Sequence, residues 1–232
     1  MAKTQVDVIL VPQGAEYRAV CRGLVACVGA LPQVRAIPVG SEPVRRFLDQ
    51  WHCTQGEGIE SVLLMGVCGS LVPQCQVGDG VLYQCCWASL SRGRVRQSDR
   101  TLTEWIQTRL GAEVALVSGV SCDRIITTVA EKQQLAQQFP VAVVDMEGFT
   151  AFECLQQWQI RAAMVRVVSD QVDQPLPDLS PALSASGQMQ PVPLALQLLR
   201  QPRRSLTLIQ GSLRALQKLQ HLTAQIFRPL QE

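Results

Sequence analysis

The feature that most constrains this chain is an alternation: short apolar, β-branched runs are separated by longer segments of helical period. Val6–Val11, Arg35–Val39, Val62–Met65, Val81–Trp87, Val114–Val117, Val141–Asp145 and Ala162–Val168 read as strands. Between them, Glu16–Val28, Val44–Trp51, Thr101–Leu110 and Glu147–Trp158 read as helices. Tyr17, Val20, Leu24 and Cys27, for example, recur at helical spacing. Near-continuous apolar strands alternating with helices predict an α/β fold whose central sheet is covered on both faces. With 232 residues, 47% of them hydrophobic and 17% charged, the chain can bury a large core and is too apolar to be disordered.

The formal net charge of +2 conceals a split. Residues 191–232 carry six basic side chains (Arg200, Arg203, Arg204, Arg214, Lys218, Arg228) against Glu232, a net of +5, which leaves −3 for residues 1–190. The reading is therefore a body, 1–173, a Pro-rich connection, 174–193, and a basic helical tail, 194–232. In the tail, Leu206, Ile209, Leu213 and Leu216 form an apolar stripe, while Arg214, Lys218 and His221 share another face. That pattern suits either packing on the body or an anionic membrane surface through 194–228. A near-neutral whole does not predict nucleic-acid binding.

The first residues, lacking a long apolar run, are read as no secretory signal, and nine cysteines, an odd number, occur with no Cys-x-x-Cys pair. Only two histidines, His52 and His221, accompany them. The expectation is reduced thiols in a cytoplasmic protein with neither metal nor cofactor.

Four places carry candidate chemistry. Pro12-Gln13-Gly14-Ala15-Glu16 puts a carboxylate at a strand-to-helix switch, where open α/β sheets build sites. Gly66-Val-Cys-Gly-Ser-Leu-Val-Pro73, followed by Gly78-Asp79, reads as a Gly-rich loop after a buried strand, but it is neither a Walker loop nor a dinucleotide fingerprint. Asp145-Met146-Glu147 stands at another strand-to-helix junction, and Arg166-Val167-Val168-Ser169-Asp170 ends the last core strand. Each has a bland alternative: a first-turn Glu, a tight turn, or a helix N-cap.

Taken together and in order, these segments resemble the purine nucleoside phosphorylase and nucleosidase superfamily, which includes methylthioadenosine/S-adenosylhomocysteine nucleosidase. The resemblance covers residues 6–173. It rests on Val144–Glu147, Val165–Asp170, Gly66-x-x-Gly69 and Val77-Gly78-Asp79. Cys122–Lys132 and the basic Leu-rich tail are similar to the hopanoid-associated phosphorylases within it. The resemblance implies a three-layer α/β/α fold with a central mixed sheet and a C-terminal helical tail. It implies cleavage of the N-glycosidic bond of an adenine nucleoside, either a small molecule or a lipid-linked one such as adenosylhopane, by a homodimer or larger oligomer. In that reading Asp170 is the acid at purine N7, Glu147 holds the ribose hydroxyls, Met146 packs on the sugar and Glu16 activates water. Gly66, Val67, Cys68, Gly69, Asp123, Arg124 and Ser169 would line the substrate.

Two departures bear on the nucleophile. Val67 stands where the family commonly has a hydroxyl residue, and the phosphate cradle of the hexameric phosphorylases is missing. Glu16 favours water. Phosphorolysis stays open through Arg124 or Arg166, although Arg166, inside an apolar strand, also reads as the buried partner of an acid. A catalytically silent binder of nucleoside or membrane is the third reading. Cys68, without a nearby histidine, reads as a buried thiol rather than a nucleophile.

Overall fold

A computed structural model describes residues 5–56, 58–91, 93–178, 184, 200 and 202–229. Most of the Pro-rich connection and the first residues of the tail, 194–199, lie outside the described residues.

In chain order the elements are β1 (Val8–Pro12), α1 (Ala15–Leu24), β2 (Gln33–Ile37), α2 (Ser41–Gln55), β3 (Ser61–Ser70), β4 (Gly80–Ala88), β5 (Val95–Gln97), α3 (Arg100–Leu110), β6 (Val114–Ser121), α4 (Val129–Gln138), β7 (Val143–Asp145), α5 (Gly148–Gln157), β8 (Arg161–Asp170) and α6 (Pro202–Phe227). The eight strands form one mixed sheet. β2, β1, β3 and β8 run parallel, β8 pairs antiparallel with β4, and β4 pairs parallel with β6. β7 lies parallel to β6 and antiparallel to the end of β3, so β3, β8, β4, β6 and β7 close into a ring. The α/β class and the mixed sheet expected from sequence are both present.

Apolar side chains from the two faces of the strands build two large cores. Leu10, Leu64, Tyr83, Phe152 and Met164 anchor one under α2 and α5. Ile9, Leu63, Leu82 and Val165 anchor the other under α1, α3 and α6.

Three sequence expectations need correction. Gly66–Ser70 is not a loop: it continues β3, because β8 and then β7 supply hydrogen-bonding partners as far as Ser70. Helix α4 and the short strand β5 went unread. The tail packs on the body, but of the stripe assigned to it Leu216 alone packs against the core. Ala215, Leu219, Leu222 and Ile226 are the fully buried apolar side chains of α6, whereas Leu206, Ile209 and Leu213 are 58%, 42% and 56% exposed. On its basic face, Lys218 pairs with Glu113, and His221 lies 3.8 Å from the same carboxylate.

Two close approaches fix α6. A Cβ on Gly23 of α1 would lie 2.6 Å from the Gln220 carbonyl, so that glycine lets the two helices touch. Gly211 likewise sits directly on the Ser169 carbonyl, where α6 crosses the end of β8.

Candidate active site

The C-terminal ends of β1, β3 and β8 and the junction after β7 meet at a cavity of about 310 Å³. Glu16, Val67, Cys68, Gly69, Arg124, Met146, Glu147, Arg166, Ser169 and Asp170 all line it. Segments read separately along 155 residues of sequence thus converge on one volume.

Each acid is delivered by local structure. Gly14 takes φ +97°, a left-handed turn that a side chain would strain, and swings the chain from β1 into α1 so that Glu16 enters the cavity in the first helical turn. Glu147 is the N-cap residue of α5. Its turn is organised by Asp145, whose Oδ1 accepts hydrogen bonds from the backbone N–H groups of Gly148 (3.0 Å) and Glu147 (3.3 Å) and from the Ser121 hydroxyl. Asp170 closes β8 opposite Gly69, just past a register irregularity between Cys68 and Gly69.

The glycines of β3 make room for side chains crossing from β8. Gly66 pairs with Arg166, and a Cβ there would collide with Arg166 Nη1 and lie 3.2 Å from Glu16 Oε2. A Cβ on Gly69 would lie 3.0 Å from Asp170 Oδ2. The spacing Gly66-x-x-Gly69 therefore leaves space for Arg166 and Asp170.

Arg166 is the electrostatic centre. Its side chain is 1% exposed, with Nη2 3.4 Å from Glu147 Oε2 and Nε 3.9 Å from Asp145 Oδ2. Burial works against its charge, but Asp145 and Glu147 outweigh burial and keep the guanidinium protonated. Glu147 is also buried, and its Oε1 accepts the Gly40 N–H at 3.0 Å. Burial pushes its pKa up; Arg166 opposes this and Asp145 adds to it.

Glu16 is also shifted upward. Burial raises it to about 8, against the pull of Arg166 and with a push from Glu147. Its Oε2 and Arg166 Nη1 are both buried without a hydrogen-bond partner among the described residues, and both lie over Gly66. An acceptor and a donor are thus left without partners close to each other beside the cavity.

Asp170 is held on both oxygens. Lys132 Nζ donates to Oδ2 at 2.5 Å and the Ser169 hydroxyl lies 2.9 Å from Oδ1. Lys132, fully buried on α4, was missed as a site residue although it ends the segment Cys122–Lys132. Met146 lines the cavity, and its carbonyl accepts the Ser41 hydroxyl at 3.0 Å.

Gly66 is not among the residues lining the cavity, the space for its Cβ being taken by Arg166, and Asp123 and Arg124 also differ from expectation. Asp123 faces a neighbouring cleft that shares Val39 and Met146 with this cavity. Arg124 reaches the cavity, but its guanidinium pairs with Glu131 at 2.6 Å. Burial holds the Cys68 thiol well above its ordinary pKa, so it is a neutral lining group. All nine cysteines are free. Among the described residues no helix is long and apolar enough to cross a membrane.

The family model for the phosphorylase superfamily matches residues 25–183. The chain belongs to the phosphorylase superfamily. Solved structures related in fold include a futalosine hydrolase of Helicobacter pylori, 13% identical over 94% of this chain and 95% of that one, with a TM-score of 0.70. A methylthioadenosine nucleosidase variant from Helicobacter pylori, with 5′-methylthioadenosine in its active site, is 12% identical over 97% and 98%, with a TM-score of 0.72. The methylthioadenosine/S-adenosylhomocysteine nucleosidase of Neisseria meningitidis, in complex with methylthio-immucillin-A, is 15% identical over 94% and 97%, with a TM-score of 0.69. At these identities the likeness is one of fold. No curated protein matches the chain in sequence. Membership in the phosphorylase superfamily accords with the mixed sheet.

Proposed function

We propose that this chain is an N-ribosyl hydrolase that releases adenine from an adenosine bearing a 5′ substituent. The observation carrying this reading is the convergence of Glu16, Glu147 and Asp170 on one cavity around the buried Arg166. Breaking an N-ribosidic bond builds positive charge on the ribose and negative charge on the base. Asp170, at one side, protonates purine N7 so that a neutral base leaves. Glu147 accepts the ribose 2′- and 3′-hydroxyls and faces the developing cation. Glu16 takes the proton of a water held between its open Oε2 and the open Arg166 Nη1. A base with a pKa near neutrality is suited to that step.

Arg166 Nη1 supplies a donor that Val67 lacks, which supports water without the family's hydroxyl residue. The same open donor also favours a second reading, phosphorolysis, with inorganic phosphate in place of water.

The substrate's 5′ arm is proposed to be apolar, as in a lipid-linked adenosine such as adenosylhopane. Ile125, Ile126, Leu176 and Leu208 line the cavity, and the last lies on α6. Leu206, Ile209 and Leu213 are exposed on the same stretch of α6, within a turn of the lining residues Leu208 and Ser212. A peripheral, cytoplasmic-face membrane contact by this helix, and at least a dimer, complete the proposal.

The experiment is adenine release from 5′-substituted adenosines, adenosylhopane included, with and without phosphate. Glu147→Gln and Asp170→Asn should each lose about 10²–10⁴-fold in kcat while remaining folded. Near-normal rates in both, or no base released from any substrate, refute the reading. Strict phosphate dependence with a ribose 1-phosphate product establishes phosphorolysis instead.

A further inference from the structure

We propose that Lys132 is a positioning residue for departure of the base: its ammonium group holds the Asp170 carboxyl in place and meets the negative charge left on it. This rests on the reading of Asp170 as the acid at the purine.

Lys132 is 0% exposed. Its three ammonium protons have three acceptors: Asp170 Oδ2 at 2.5 Å, the Gln171 carbonyl at 2.5 Å and the Gln174 carbonyl at 3.3 Å. Nothing about α4 itself asks for a cation here. The helix begins with a capping box between Thr128 and Glu131, and Lys132 follows in the first turn, where the macrodipole disfavours positive charge. Burying an ammonium is also costly, and an apolar side chain of similar length would fill the space. The contacts explain the residue where helix formation and packing do not.

They constrain Asp170 from three elements. α4 holds Oδ2 through Lys132, β8 holds Oδ1 through Ser169, and β3 passes beneath at Gly69, where a Cβ would lie 3.0 Å from Oδ2. By gripping the carbonyls of Gln171 and Gln174, Lys132 also ties down the chain leaving β8. In the reaction the C1′–N9 bond breaks and its electron pair goes to the purine. Asp170, ion-paired with Lys132, takes a proton from solvent when the purine binds; its O–H bond then breaks as N7–H forms, which restores the carboxylate paired with Lys132. Water adds to C1′ and yields its proton to Glu16.

The test compares wild type, Lys132→Met, Lys132→Arg, Asp170→Asn and the double variant Lys132→Met/Asp170→Asn on two substrates. One is the adenosine that wild type turns over; the other is 4-nitrophenyl β-ribofuranoside, whose leaving group departs without protonation. On the adenosine, Lys132→Met should lower kcat about 10²-fold with KM within about threefold, and Lys132→Arg should recover part of the loss. The double variant should be no slower than Asp170→Asn, because one residue acts through the other. On the nitrophenyl riboside the loss from Lys132→Met should be at least about tenfold smaller than on the adenosine. Losses that multiply in the double variant, or that are equal on both substrates, overturn the proposal and leave a structural lysine. If Lys132→Met does not fold, Lys132→Arg and the double variant, which removes both charges, carry the comparison. If wild type releases no adenine, the reading of the site falls first, and calorimetric binding of free adenine then decides: about tenfold weaker binding to Lys132→Met supports the contact's role, and equal binding overturns it.

Discussion

Gly66 and Arg166 face each other across β3 and β8, and the guanidinium of Arg166 occupies the space that a side chain on Gly66 would fill. The buried arginine thus reaches Glu147 only because its neighbour has no Cβ. Gly66→Ala should force Arg166 off its present position, overpack the site by about 1–3 kcal/mol, and depress adenine release far more than global stability. Urea unfolding beside the activity assay separates the two effects; unchanged activity would show that the close approach is incidental.

The elevated pKa of Glu16 has a defined sign in both rate and stability. As a base Glu16 acts ionised, so kcat/KM should rise with pH and level off near its pKa of about 8. Glu16→Gln should abolish that rise together with most of the rate.

For stability, the folded state binds a proton that the unfolded chain releases near 4.5. The Glu16 contribution is therefore full below 4.5 and is lost as pH rises through about 8. A shift of this size corresponds to about 5 kcal/mol at most, and solvent screening reduces it for the half-buried Glu16. Thermal melts of wild type and Glu16→Gln at pH 5 and pH 9 should converge at the lower pH and favour the variant at the higher.

Asp145 serves Arg166 and the start of α5 together, through the ion pair and the capped N–H groups of Glu147 and Gly148. Asp145→Ala should cost about 3–5 kcal/mol in urea unfolding, because it strands a buried guanidinium. A loss below 1 kcal/mol would mean that the other acids suffice for Arg166.

A triple substitution of Leu206, Ile209 and Leu213 to Ser leaves the buried stripe of α6 intact. The melting temperature should hardly move, since these side chains are already exposed. Sedimentation with anionic vesicles should fall sharply if α6 meets a bilayer, and equal sedimentation would end that idea.

Sequence reading reached the acids because each stands beside a strand end that hydrophobicity already marks. It stopped where partners are distant. Lys132 and Asp170 are 38 residues apart, and no local pattern joins them. Helix α4 has few apolar residues to set a period, with Leu135 its one buried large apolar side chain, although Thr128-x-x-Glu131 was a readable capping box. Gly66–Ser70 read as a loop because glycines usually break strands; here they are spaces for side chains arriving from β8. In α6 the 3–4 spacing was correct for a helix, but Leu206, Ile209 and Leu213 and the stripe through Ala215, Leu219, Leu222 and Ile226 lie on different sides of it. Periodicity alone does not say which side meets the sheet.

The seat of Gly211 on the Ser169 carbonyl decides where this chain can be cut. Removing α6 would unroof the cavity at Leu208 and Ser212 and strip Ala215, Leu219, Leu222 and Ile226 from the core shared with β1, β3 and β8. A shortened recombinant form must therefore run past Phe227 to remain an enzyme, and any detachable lipid-binding function has to be engineered out side chain by side chain.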